Sequence, residues 1–192
     1  MAKSVRIIEK KLLSDNWYKL YKYTFEITGK DNETHRQMRE AYDRGNGAVI
    51  LLYNRTNKNV ILTRQFRLPT FVNGNVTGMM IEACAGLLDH DNPEDCIRRE
   101  TEEETGYRIE HVHRIYEAYM SPGSVTEMLF FFTGEYTLDQ KVNQGGGVGH
   151  EQESIEVLEL PFDKAYGMVS TGEIRDAKTI MLLQYAKLNL DI

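Results

Sequence analysis

A chain of 192 residues, 41% hydrophobic and 27% charged, has the length and composition of one globular domain with a real core, and it carries no internal repeat or low-complexity run. A net charge of -6 and a pI near 5.4 argue against a nonspecific nucleic-acid binder, so an anionic substrate would need local arginines or a metal. Residues 1–10 mix charges with Val5, Ile7 and Ile8 and lack a long apolar core, which excludes a signal peptide or membrane span there and leaves a cytoplasmic protein as the expectation.

In chain order, the first 44 residues read as strands. Residues 17–27 alternate, with Trp17, Lys19, Tyr21, Tyr23, Phe25 and Ile27 on one face, and after a turn at 29–32 a polar strand returns over 36–42. A half-apolar hairpin arm of this length is suited to packing on a partner subunit. From residue 45 a second region begins, with apolar strands at 48–53 and 60–65 joined by a polar turn and expected to be covered on both faces. Residues 79–85 lead into a helix for which Asn92 can serve as N-cap, Pro93 as first residue and Gly106 as C-cap. Strands follow at 112–119 and 128–136, then a glycine-rich segment at 145–147 read as a flexible loop, a strand at 155–160, a helix carrying Phe162, Ala165, Tyr166 and Val169 up to Gly172, and a last helix with Met181, Leu182, Tyr185 and Ala186. The sum is α/β in character, a mixed sheet flanked by helices on both sides behind an N-terminal strand arm.

The helix after Asn92 holds the chemistry. Cys96, Ile97, Glu100, Glu103, Glu104 and Tyr107 share one stripe, which starts apolar and then turns acidic on the side a helix should bury. Like charges at these spacings cost about 0.2 to 0.5 kcal/mol per pair, and a divalent cation would reverse that sign. Arg99, one turn before Glu103, can orient a carboxylate. A solvated acidic face is the ordinary alternative. Cys84 and Cys96 are too few for a disulfide framework or a zinc site and read as buried thiols, and His111 with His113 lacks a third ligand nearby in sequence.

Gly86, Arg99, Glu100, Glu103, Glu104, Gly106 and Tyr107 resemble the signature of the Nudix hydrolases. The interval from Gly86 to Arg99 is one residue short of that signature, Asp91 or Asn92 falls where its first Glu belongs, and Thr101 takes an apolar position. Residues 41–47, 64–67, 119–123, 145–148 and 172–176 look like the GDP-mannose pyrophosphatase branch of that family, close to ADP-ribose pyrophosphatases.

That resemblance implies a three-layer α/β/α fold with residues 1–44 as an arm swapped onto a partner subunit, residues 45–192 as the hydrolase domain, and a homodimer. It implies Mg2+, with Mn2+ as a substitute, held by Glu100, Glu104, the Ala85 carbonyl and Glu151, with Glu103 as a ligand or supporting acid. Glu151 or Glu153 in the acidic loop would help the metals or deprotonate water. Substrate would be held by Trp17, Arg39, Glu40, Arg67, Ala85, Gly86, Leu87, Glu104, Glu127, His150, Glu151 and Lys178. Position 38 is Met where the branch leads one to expect Lys. The implied reaction is cleavage of GDP-mannose to GMP and mannose 1-phosphate, with ADP-ribose hydrolysis or a noncatalytic nucleotide-sensing domain as alternatives and neither nucleic acid nor membrane as a partner.

Overall fold

Alternation through the N-terminal residues produces three antiparallel strands in the order of the chain, β1 (Ala2–Asp15), β2 (Lys19–Gly29) and β3 (Thr34–Asp43). The computed structural model describes residues 2–147 and 154–192. The pair Asp15 and Lys19 closes the first hairpin, so Trp17 stands in its turn and not on the β2 face where alternation alone would put it. Because β2 is the central strand, nearly all of its side chains are half-buried, so the one-sided pattern expected from its sequence gives way to partial cover on both faces. Register shifts along β1 mark bulges, and Val5, Ile7, Leu12 and Leu13 of that strand are exposed. Residues 119–128 belong to the same unit: the Tyr42 N–H donates to the Ser124 carbonyl (2.8 Å) and the Thr126 N–H to the Tyr42 carbonyl (3.0 Å).

The second compact unit, Gly47–Ala118 with Leu129–Ile192, is built on a mixed sheet. Its strands are β4 (Gly47–Asn54), β5 (Asn59–Phe66), β6 (Met79–Glu82), β7 (Cys84–Leu87), β8 (His113–Tyr119), β9 (Met128–Glu135) and β10 (Glu156–Pro161). The main path runs β10-β5-β4-β9-β8, with β4 and β9 parallel. Only the last residues of β4 pair with β5, while its first half pairs with β7 and the far half of β5 pairs with β6. The chain therefore crosses from β5 to β4 at Ala83, a buried residue whose N–H donates to Thr179 Oγ1 at 2.7 Å.

Every residue of β4 is buried, as a near-continuous apolar run between two layers requires. Ala48, Ile50 and Leu52 join Ile97, Cys96, Tyr107 and Phe132 in one core beneath helix α2 (Pro93–Thr105). The alternate face of β4 takes helix α4 (Ala177–Asn189), with α3 (Phe162–Thr171) beside it. On that side Tyr116 lies against Phe131 and meets Tyr185 of α4. The layered α/β arrangement expected from the sequence is thus present. Two short elements went unforeseen, α1 (Leu68–Val72), a single turn with Pro69 in it, and a 3-10 turn at Leu138–Gln140, both too short for periodicity to register.

Candidate active site

Helix α2 begins where its sequence says it should. The Asn92 side chain accepts from the N–H groups of Glu94 (3.1 Å) and Asp95 (3.0 Å), and Gly106 closes the helix in the left-handed conformation at φ 81. Cys96 and Ile97 are fully buried. Thr101, in a slot that suits an apolar residue, is buried too, and its hydroxyl donates to the Ile97 carbonyl at 2.6 Å. The acids lie on the side the sequence predicts, graded in depth: Glu104 is 3% exposed, whereas the side chains of Glu100 and Glu103 are 17% and 34% exposed.

The loop facing this stripe explains Gly86. A Cβ built on Gly86 would lie 2.1 Å from Glu100 Cδ, so the glutamate packs directly on the backbone that carries Ala85 and Leu87. The Cys96 thiol donates to the Leu87 carbonyl at 3.2 Å and ties the loop to the helix. Burial raises the Cys96 pKa to about 12, and burial together with the charge of Glu104 pushes Cys84 well above the ordinary thiol range. Both stay protonated at neutral pH, which leaves neither as a nucleophile.

Arg99 organises the acids, as its position one turn before Glu103 suggests. Its Nη1 donates to Glu100 at 2.8 Å and to Glu103 at 3.2 Å, and its Nη2 to Asp91 at 3.4 Å. The described residues contain no ready-made cluster of three or more metal ligands, and Arg99 bridges two of the signature acids, Glu100 and Glu103. The donor chemistry nevertheless fits a hard divalent cation, since the groups offered are carboxylate and carbonyl oxygens beside a backbone that Gly86 leaves uncovered. Of the two residues at the place of the first signature Glu, Asn92 is occupied in capping the helix and Asp91 accepts from Arg99.

The glycine segment corrects an expectation. Read as a flexible loop, residues 145–147 are bonded to the end of α2: the Gly146 N–H donates to the Glu104 carbonyl (2.8 Å) and the Gly147 N–H to the Glu103 carbonyl (3.1 Å). A Cβ on Gly145 would come within 2.5 Å of the Glu104 carbonyl oxygen, which is why a side chain is absent there. His150, Glu151 and Glu153 lie outside the described residues.

A second cluster, around Glu82, was not anticipated. Glu82 is 5% exposed and receives Arg67 Nε on one oxygen (2.7 Å) and Lys178 Nζ on the other (2.9 Å). Lys178 also donates to Asp176 at 2.7 Å, and Asp176 caps α4 through the Thr179 N–H at 2.9 Å. Burial raises the pKa of Glu82, but Lys178 and Arg67 outweigh burial and hold it below the ordinary value of 4.5. A lone acid in the apolar run 79–85 was the available signal, because a buried carboxylate requires partners.

In the N-terminal unit, Trp17 is 83% exposed and meets Tyr18 edge-on, and Tyr18 in turn meets Tyr42 and the Arg44 guanidinium. Arg39 and Glu40 are exposed on β3 and line an open groove of about 560 Å³ with Tyr23, Phe25, Tyr119 and Pro122. Met38 is exposed, and its carbonyl accepts from Arg39 Nη1 at 2.7 Å. Glu127 pairs with Arg44 at 3.3 Å. His111 and His113 are exposed, and the strand starts only at His113, so the two do not lie on one strand.

Comparison with known proteins agrees with this geometry. Residues 4–42 match the model of the GDP-mannose pyrophosphatase NudK N-terminal domain, and residues 43–183 match that of the NUDIX domain. A GDP-mannose pyrophosphatase of Yersinia enterocolitica is 57% identical over 189 residues, covering 98% of this chain and 98% of the relative. One of Pectobacterium atrosepticum is 59% identical over 186 residues, covering 97% of this chain and 95% of the relative. No helix among the described residues is long and apolar enough to cross a membrane. With the NUDIX domain matched over residues 43–183 and its signature acids gathered on one helix face, Glu100 against Gly86 and Glu104 buried, this chain belongs to the Nudix family and is a Nudix hydrolase.

Proposed function

We propose that this enzyme hydrolyses the pyrophosphate bond of GDP-mannose, releasing GMP and mannose 1-phosphate, with Mg2+ as its ion and Mn2+ as a substitute. The observation that carries the chemistry is the approach of Glu100 to the bare backbone at Gly86, beside the buried Glu104. The choice of nucleotide sugar is supported by relatives named GDP-mannose pyrophosphatase along nearly the whole chain. Glu100, Glu104, the Ala85 carbonyl and Glu151 would hold the ion, which when bound neutralises diphosphate oxygens and activates water for attack on phosphorus.

The remaining roles fall to this chain's own side chains. Arg99 orients Glu103 and Glu100. Arg67 and Lys178 bind the diphosphate, and Ala85, Gly86 and Leu87 offer it the loop backbone. Glu151 or Glu153 takes the proton from water, with His150 beside them on the substrate. Trp17 stacks on the base, and Arg39 and Glu40 reach substrate from a partner's arm, residues 1–44, in a swapped homodimer. Glu127 accepts from sugar hydroxyls or guanine N–H groups. The compartment that fits such a substrate is the cytoplasm.

Incubation of the purified protein with GDP-mannose and Mg2+ in 18O water, followed by 31P NMR, tests the reading. Labelled GMP or labelled mannose 1-phosphate is the expected result. Absence of GMP would overturn the substrate, and label confined to mannose would mean attack on carbon. A panel including ADP-ribose, ranked by kcat/KM, separates the two substrates.

A further inference from the structure

We infer that Glu82 is a positioning residue for substrate: it presents the Arg67 guanidinium, and holds Lys178 beside it, in the arrangement that a diphosphate requires. The inference rests on the reading above that Arg67 and Lys178 bind the diphosphate.

Three elements meet at Glu82. Arg67 follows β5 directly, Glu82 ends β6, and Lys178 stands in the first turn of α4. Their backbones are already fixed without the carboxylate, because the Arg67 N–H donates to the Gly78 carbonyl at 2.8 Å and the Ala83 N–H to Thr179 Oγ1 at 2.7 Å. What Glu82 adds is the direction of two side chains. It takes Arg67 through Nε at 2.7 Å, and among the described residues Nη1 and Nη2 donate to no other group. A guanidinium held at Nε has its two Nη groups left as a fork, the geometry that matches phosphate oxygens. The Arg67 side chain is 40% exposed, whereas that of Glu82 is only 6% exposed, so the fork is open while its anchor is covered.

Lys178 is held more deeply, its side chain 14% exposed between Glu82 (2.9 Å) and Asp176 (2.7 Å). Two cations against two carboxylates make a balanced set, and an arriving diphosphate meets cations whose orientation has been settled in advance. Glu82 also stands three residues before Ala85, at the end of β6 where the chain crosses at Ala83 into β7, so the anchor of the two cations and the Gly86 backbone follow one another in the chain.

The test is steady-state kinetics with GDP-mannose and Mg2+ on wild type, Glu82→Gln, Arg67→Ala and the double variant, with Mn2+ binding to each protein followed by electron paramagnetic resonance. Glu82→Gln is expected to raise KM about tenfold or more and to lower kcat less than about threefold, with Mn2+ affinity within about twofold of wild type. In the Arg67→Ala background the same change should raise KM by less than about threefold, since its main client is gone. An ion pair of purely structural purpose would lower thermal stability and leave KM alone, which would overturn the inference; so would a full independent effect in the double variant. A KM unchanged in Arg67→Ala would instead overturn the assignment of Arg67 to substrate, and the inference with it. If Glu82→Gln fails to fold, Glu82→Asp carries the test, because it keeps the charge and withdraws it by one methylene: KM should rise about threefold or more, and an unchanged KM overturns the inference.

Discussion

Gly86 and Glu100 share one volume: the space a side chain would fill at position 86 is taken by the glutamate, 2.1 Å from where a Cβ would stand. Gly86→Ala should therefore displace the Glu100 carboxylate while leaving β7 paired with β4. The expected outcome is a fall in kcat of about tenfold to a hundredfold with a matching loss of Mn2+ affinity, because small displacements of a ligand or its support are felt on that scale. Kinetics with an Mn2+ titration check it, and unchanged activity would show that Glu100 can move without cost.

Glu100→Gln keeps the volume and removes the charge. Activity should drop by at least about a hundredfold, while circular dichroism and the melting temperature stay near wild type, since Gln can still accept from Arg99. Undiminished turnover would favour a noncatalytic use of the fold or a different metal ligand.

Asn92 separates capping from coordination. With Asp91 it is one of the two residues that could stand for the first signature Glu, yet its side chain accepts from the N–H groups of Glu94 and Asp95. Asn92→Ala is expected to cost about 1 kcal/mol of stability, a fall of about 2–4 °C in Tm, with kcat/KM within about twofold of wild type. A large activity loss without a stability loss would mean that Asn92 acts on the ion or substrate.

Helix α2 was legible because several local signals agree: Asn92, Pro93 and Gly106 punctuate it, and a stripe of period 3.6 names its buried face. The apolar strands β4 and β5 were legible for the same reason. Trp17 was misplaced because alternation continues past the point where Asp15 and Lys19 close the hairpin, and only pairing decides that boundary. The glycines at 145–147 were read as loose, but their partners are carbonyls at the end of α2, some forty residues earlier in the chain. Glu82 was missed because its cations are 15 and 96 residues away, a relationship no local pattern carries.

Glu82 also sets a pH dependence whose sign follows from its partners. Its folded pKa lies below the ordinary 4.5, since Lys178 and Arg67 outweigh the burial that would raise it. An acid depressed in the folded state contributes stability that is fully present above the unfolded value and lost as pH falls through the folded one. Lys178 supplies most of that contribution, because the Arg67 side chain is 40% exposed and its pairing is screened by solvent. At pH 7, Glu82→Gln should be less stable than wild type by about 2 kcal/mol, since Lys178 keeps Asp176 as a partner. That gap should hold down to about pH 5 and then narrow as the pH falls below 4.5, because wild type then protonates the carboxyl that the variant has already neutralised. Urea unfolding of both proteins across this range measures the gap directly. A constant difference would mean that the cost lies in packing and not in charge, whereas a difference that widens toward low pH would show that the Glu82 pKa is raised in the folded protein.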